Sequence, residues 1–161
     1  MRDRQTCERE GRIRDYYAAT LDQHRRGELL VARENSFDGT AVRADMRTID
    51  RHNVIRLWEF KIRASYDALG QIIVYVSMAR RAEGYNRQIR GVIAAFEFQS
   101  EIVDAIERMN LGIELVSLPP VLAFAGNVPD GIEKITIPEI PDMSAFIGFD
   151  AADDSQAEDQ L

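Results

Sequence analysis

Two rhythms of apolar residues run along this chain. Over residues 8–25, Ile13, Tyr16, Tyr17, Thr20 and Leu21 follow helical spacing while arginine and aspartate fill the other faces, which predicts an amphipathic helix. Three shorter segments then predict strands: "GELLVARE" (27–34), "TAVRADMRT" (40–48) and "VIRLWEFKI" (54–62), separated by the turn-rich "NSFDG" and "IDRHN". The third is apolar enough to be central. The segment "ASYDALGQIIVYVSMARRA" (64–82) predicts a long helix with Tyr66, Leu69, Ile72, Ile73 and Val76 as its apolar stripe. Gly70, unfavourable in a helix interior, implies a close packing contact or a helix break. A strand over 90–98, a helix over 100–110 opened by Ser100 as its N-cap, and a strand over 111–118 stopped by Pro119 and Pro120 complete the core. "VLAFAG" and "IEKITIPEI" are candidate short strands in the proline-containing stretch 119–141. The order α-β-β-β-α-β-α-β predicts a mixed central α/β sheet flanked by helices. One domain is expected over 1–149, with its core at about 8–118 and a C-terminal extension at 119–149.

Composition narrows the class. A chain of 161 residues, 45% hydrophobic, can bury a substantial core. No apolar run approaches the ~18 residues of a membrane span. The N-terminal "MRDRQTCEREGRIRDYY" lacks the apolar stretch of a secretory signal. A cytoplasmic protein without a membrane partner is therefore expected. The lone Cys7 excludes an internal disulfide framework, and two histidines do not furnish a zinc cluster.

Charge is unevenly spread. The net −7 is the sum of +5 over residues 1–90 and −12 over 91–161. The arginine-rich first part can meet an anion. The acidic "DAADDSQAEDQL" (150–161), with no aromatic or β-branched residue, reads as a disordered tail.

The third strand carries the candidate chemistry. Lys61 is the first lysine of a chain that otherwise uses arginine: 18 Arg stand against 2 Lys. Alternation places Glu59 and Lys61 on the face of Ile55 and Leu57, and Trp58, Phe60 and Ile62 on the other. A face that turns from apolar to charged suggests a strand running out of the core into a cleft. If strands two and three pair through the turn at 49–53, Asp45 comes close to Glu59. Two such carboxylates repel unless a cation sits between them, and hard oxygen donors suit Mg²⁺ or Mn²⁺. Lys61 would then lie beside metal-bound water. On the following helix, Asp67, Gln71 and Tyr75 share one face by their i, i+4 spacing. Taken singly, these features also read as a strand-end ion pair and the polar edge of an amphipathic helix.

Together, Asp45, Glu59-Phe60-Lys61 and Gln71-Ile-Ile-Val-Tyr75 resemble the PD-(D/E)xK nuclease superfamily, in the branch with a Q-x-x-x-Y motif, over residues of about 8 to 98. The resemblance implies a restriction-endonuclease-like α-β-β-β-α-β core and a Mg²⁺ (or Mn²⁺) held by Asp45, Glu59 and the Phe60 carbonyl. It further implies water assisted by Lys61, and Gln71 and Tyr75 positioning a DNA strand. Ala44 stands where the family commonly has proline. The family's glutamate on the opening helix has two candidates; Glu10 falls on the Ile13/Tyr17 face and is preferred to Glu8. Arg43, Arg47, Arg63, Arg80 and Arg81 flank these motifs and are candidate phosphate contacts. Cys7, His24 and His52 read as ordinary packed or surface residues.

The expectation is a Mg²⁺-dependent deoxyribonuclease. The alternative is a non-catalytic subunit of the same fold, acting through a protein partner, a homodimer or a larger complex. Free ends, junctions, nicks and specific sites are all compatible with these motifs, and so is RNA.

Overall fold

The computed structural model describes residues 4–125. Helix α1 (Arg4–Ala19) and a single turn α2 (Leu21–His24) lead into β1 (Glu28–Ser36), β2 (Arg43–Asp50) and β3 (Ile55–Ala64). Helix α3 (Tyr66–Glu83), β4 (Ile89–Phe98), α4 (Ser100–Arg108), β5 (Ile113–Ser117) and a short α5 (Leu122–Ala125) follow. The strands form one sheet in the order β1-β2-β3-β4-β5; the first three pair antiparallel and the last three parallel. This is the mixed, helix-flanked α/β sheet that the residue pattern predicts. "IEKITIPEI", most of the extension 119–149 and the tail 150–161 lie outside the described residues. Among the described residues no helix is long and apolar enough to cross a membrane.

Strand alternation splits the core in two. Ile55 and Leu57 join Ala68, Ile72, Tyr75 and Ala79 of α3, and Ile102 and Ile106 of α4, on one face. Trp58 and Phe60 join Ile13 and Tyr17 of α1 and Leu122 of α5 on the other. Both crossovers, β3-α3-β4 and β4-α4-β5, thus place their helices on the same face, as a common connection hand requires. Each fully buried large side chain contributes roughly 1.5–3 kcal/mol. The two faces therefore clamp β3 at the centre of the sheet.

Five local expectations need correction. Ser100 does not cap α4: Gln99 holds the N-cap position, and the Ser100 hydroxyl donates to the Glu101 carboxylate at 3.1 Å instead. The opening helix is not continuous: Thr20 separates α1 from α2, and its hydroxyl turns back to donate to the Tyr16 carbonyl at 2.9 Å. The stripe of α3 is displaced around the helix. Leu69, Ile72 and Val76 pack on the core as predicted, but Tyr66 and Ile73 are exposed, and Ala68, Tyr75 and Ala79 take buried places beside Ile72. Gly70 neither breaks α3 nor relieves a contact, since an added Cβ would meet nothing within 4 Å. Finally, 122–125 is helical. The turn set by Pro119 and Pro120 lets Leu122 and Ala123 donate to their carbonyls at 2.9 and 3.0 Å, and Leu122 packs inward.

The β2–β3 turn is built by Asp50, whose Oδ1 accepts the His52 and Val54 amides at 2.8 and 3.0 Å while Asn53 takes positive φ. At that end of the sheet a buried chain runs from Trp58 Nε1 to Thr48 Oγ1 and on to Glu28, which also receives Arg25 at 2.7 Å. His24 stacks on Tyr17, with centroids 4.6 Å apart. These groups are satisfied and fix β1, β2 and β3 in register.

Candidate active site

The β2–β3 ladder ends at Met46–Trp58, although β2 stays paired with β1 as far as Arg43. Beyond that point the two central strands separate, and the freed edge of β3 needs acceptors for its amides. Carboxylates supply them. Asp45 Oδ2 accepts the Phe60 N–H at 2.7 Å, and Glu10 Oε1, reaching in from α1, accepts the Ile62 N–H at 3.3 Å. An N–H and C=O of one strand residue point the same way, so the Phe60 carbonyl also faces this gap. Lys61 Nζ donates to it at 3.1 Å.

Glu59 and Lys61 reach the same gap from the α3 face and are 1% and 6% exposed. The Lys61 ammonium is in direct contact with Glu59 Oε1 and lies 3.9 Å from Glu10 Oε2. Tyr75, buried on α3, donates its hydroxyl to Glu59 Oε2 at 2.8 Å, and Gln71 Nε2 donates to the Tyr75 oxygen at 3.4 Å. The spacing of Gln71 and Tyr75 thus becomes a chain of hydrogen bonds ending on Glu59.

These groups form the floor of a cleft of about 850 Å³. Glu8, Glu10, Gly11 and Arg14 of α1 wall one side; Ser36, Thr40, Val42 and Arg43 of the β1–β2 hairpin and Gln71, Val74 and Tyr75 of α3 wall the others. Five carboxylates (Glu8, Glu10, Glu34, Asp45 and Glu59) line it against three cations (Arg14, Arg43 and Lys61). Burial first, and the Asp45 charge second, push the Glu59 carboxyl up to about 6 against the opposing pull of Lys61 and Tyr75. A negative excess in a partly desolvated site favours a cation.

The structure brings Asp45, Glu59, Phe60, Lys61, Gln71, Tyr75 and Glu10 together. Glu8 is more exposed and pairs with Arg4 at 3.0 Å. Of the candidate phosphate contacts, only Arg43 lines the cleft. Arg47 pairs with Glu83 at 2.6 Å in a neighbouring groove that Arg81 also lines, Arg63 is exposed near Glu97, and Arg80 borders a third depression beside Tyr85. Asp67 is exposed on the α3 surface.

One wall residue escapes the sequence reading. Arg14 is held by Asp15 at 2.9 Å and Glu34 at 3.2 Å, and Glu34 also receives Arg43 at 3.4 Å. Glu34 adopts φ 51° to stand between them, a conformation rare for glutamate. The available signal was the helical spacing of Arg14 from Glu10, one turn away on the same face.

No family model matches the chain, and no curated protein matches it either. Solved structures do. EndoMS in a dsDNA complex superposes with TM-score 0.57 at 20% identity, over 68% of this chain and 45% of that one. EndoMS in apo form gives 0.54 at 23%, over 68% and 47%, and a repair endonuclease from Pyrococcus abyssi gives 0.53 at 22%, over 66% and 47%. This chain therefore spans about half the length of the proteins it resembles. At such identities the likeness is one of architecture: the chain has the restriction-endonuclease-like fold.

Proposed function

We propose that this chain is a metal-dependent nuclease hydrolysing phosphodiester bonds in DNA. The observation that carries this reading is the meeting of Asp45, Glu59, Lys61 and the Phe60 carbonyl in the gap where β2 leaves β3, at the floor of a cleft with excess negative charge. Asp45, Glu59 and the Phe60 carbonyl would hold Mg²⁺ or Mn²⁺, with Glu10 beside them. Among the described residues no three His, Cys, Asp or Glu side chains form a ready-made cage. Mg²⁺ commonly takes one or two carboxylates and keeps several waters, which is the set available here. When bound, such a cation supplies Lewis acidity at a phosphoryl oxygen and lowers the pKa of coordinated water.

The remaining work falls to this chain's side chains. The Lys61 ammonium, compact and buried, would hold the attacking water and offset charge gathering on the phosphate. Tyr75 fixes the Glu59 carboxylate by donating to one oxygen, and Gln71 in turn fixes Tyr75. Both belong to the Q-x-x-x-Y pattern, and from the cleft wall they would also position the strand. Arg43 and Arg14 would meet phosphates at the cleft wall, and Arg47 and Arg63 those lying farther out. DNA as the substrate is supported by the solved neighbours, of which one is described as a dsDNA complex and another as a repair endonuclease.

A second reading is favoured by one observation. The Lys61 ammonium touches Glu59 and the Phe60 carbonyl, two of the groups a cation would take. In a non-catalytic subunit of this fold, Lys61 would replace the metal permanently, and the chain would act through a protein partner or a dimer. Linear, nicked and branched DNA incubated with wild type and Lys61→Ala, with Mg²⁺ or with chelator, separates the two. The nuclease reading expects Mg²⁺-dependent cleavage by wild type that Lys61→Ala loses while still binding the cation. Cation binding acquired only in Lys61→Ala, with no cleavage by wild type, would establish the second reading.

A further inference from the structure

Seven glycines lie among the described residues, and the fold accounts for five. Gly27 and Gly39 in turns, Gly84 at the C-cap of α3 and Gly112 in the connection before β5 take positive φ. Gly91 lets α3 approach β4, because a Cβ there would come within 2.6 Å of Ile72 Cγ1. Gly11 and Gly70 are different. Both sit inside helices with no left-handed φ, and a Cβ would meet only Arg14 at 3.9 Å in the first case and nothing within 4 Å in the second. Glycine in a helix interior is less stable than alanine, so neither position serves its own helix.

Their location gives them a common reason. α1 and α3, the only described helices that contain glycine, wall the cleft from opposite faces of the sheet. Gly11 lines the cleft directly; Gly70 is exposed beside Gln71 and one turn before Val74, both of which line it. Arg14 lies one turn beyond Gly11 and also lines it, placing a guanidinium next to the bare backbone.

We propose that the sugar–phosphate backbone of the substrate strand crosses the cleft mouth between α1 and α3, in van der Waals contact with Gly11 and Gly70. The inference rests on the nuclease reading and adds the path by which the strand reaches the carboxylates. A methyl group at either glycine would take space the strand needs, while the free protein would gain stability.

The test measures two quantities that move in opposite directions. Gly11→Ala and Gly70→Ala are expected to raise Tm by about 2–4 °C each. They should leave Mg²⁺ binding unchanged. Affinity for a labelled oligonucleotide, single-stranded and duplex, with Ca²⁺ replacing Mg²⁺, is expected to fall at least about fivefold, and further in Gly11→Leu and Gly70→Leu. Wild-type oligonucleotide affinity in both alanine variants, with wild-type Mg²⁺ binding intact, would overturn the strand path alone. A lowered Tm would assign the glycines to folding and overturn it too. A wild-type protein that binds neither Mg²⁺ nor oligonucleotide would remove the nuclease reading and this inference with it.

Discussion

Asp45 Oδ2 accepts the Phe60 N–H at 2.7 Å, at the point where the β2–β3 ladder stops. One carboxylate thus closes the edge of β3 and stands at the floor of the cleft, coupling the local fold to the proposed chemistry.

That double role separates two substitutions. Asp45→Asn keeps an oxygen to accept the Phe60 amide but loses the charge; Asp45→Ala loses both. Nuclease activity should fall at least about 10²-fold in each. Denaturant unfolding should show Asp45→Ala less stable by about 1–2 kcal/mol and Asp45→Asn close to wild type. Asp45→Asn with undiminished turnover would remove Asp45 from the metal site.

The raised Glu59 carboxyl sets opposite pH responses for stability and for the proposed metal binding. Its folded value of about 6 lies above the ordinary 4.5, so without metal the folded protein retains a proton that the unfolded chain has released between those values. This contribution favours folding below pH 4.5, declines as pH rises to about 6, and is constant above that. Divalent-cation affinity runs the other way, because the ligand must be ionised: it should rise through about pH 6 and then level. Titrations at several pH values, beside Glu59→Gln, should show both trends in wild type and neither in the variant.

At the opposite end of the sheet, Asp50 behaves in the reverse sense. Burial alone would raise its pKa, but the Arg56 guanidinium at 2.8 Å and the Val54 and His52 amides bring it down to about 2. Its stabilisation is therefore complete above about pH 3.8 and is lost as pH falls towards 2. Asp50→Asn should lower Tm at neutral pH and flatten the acid limb of the Tm profile. An acid limb unchanged from wild type would place the acid sensitivity elsewhere.

Gly91→Ala should destabilise the protein by about 1–3 kcal/mol, through overpacking against Ile72. Paired with Ile72→Ala, which removes the Cγ1 that meets the new methyl, Gly91→Ala should cost less than it does alone. Additive losses in the double variant would show that the contact is not the cause.

What was readable in advance follows from periodicity. β3 alternates so regularly that Glu59 and Lys61 fall on the inner face with Ile55 and Leu57, and the turn at Asp50 brings Asp45 back beside them. The inner face of α3 was less legible because Ala68 and Ala79 carry little hydrophobic signal, yet both are buried against the sheet. Tyr75 reads as polar by type yet is buried, its hydroxyl satisfied by Glu59. Arg14 could not be told from its neighbouring arginines, because its role comes from Asp15, Glu34 and the position of β1. The helical turn at 122–125 depends on the contact between Leu122 and the α1 face of the core.

The proposed divalent-cation site is built from Asp45 of β2 and Glu59 and Phe60 of β3. Calorimetric titration of Mg²⁺ and Mn²⁺ into wild type, Asp45→Ala and Glu59→Ala tests it most directly. The expected result is saturable binding by wild type that both variants lose while remaining folded. No binding by wild type, even with DNA present, or binding that survives both substitutions, would contradict it.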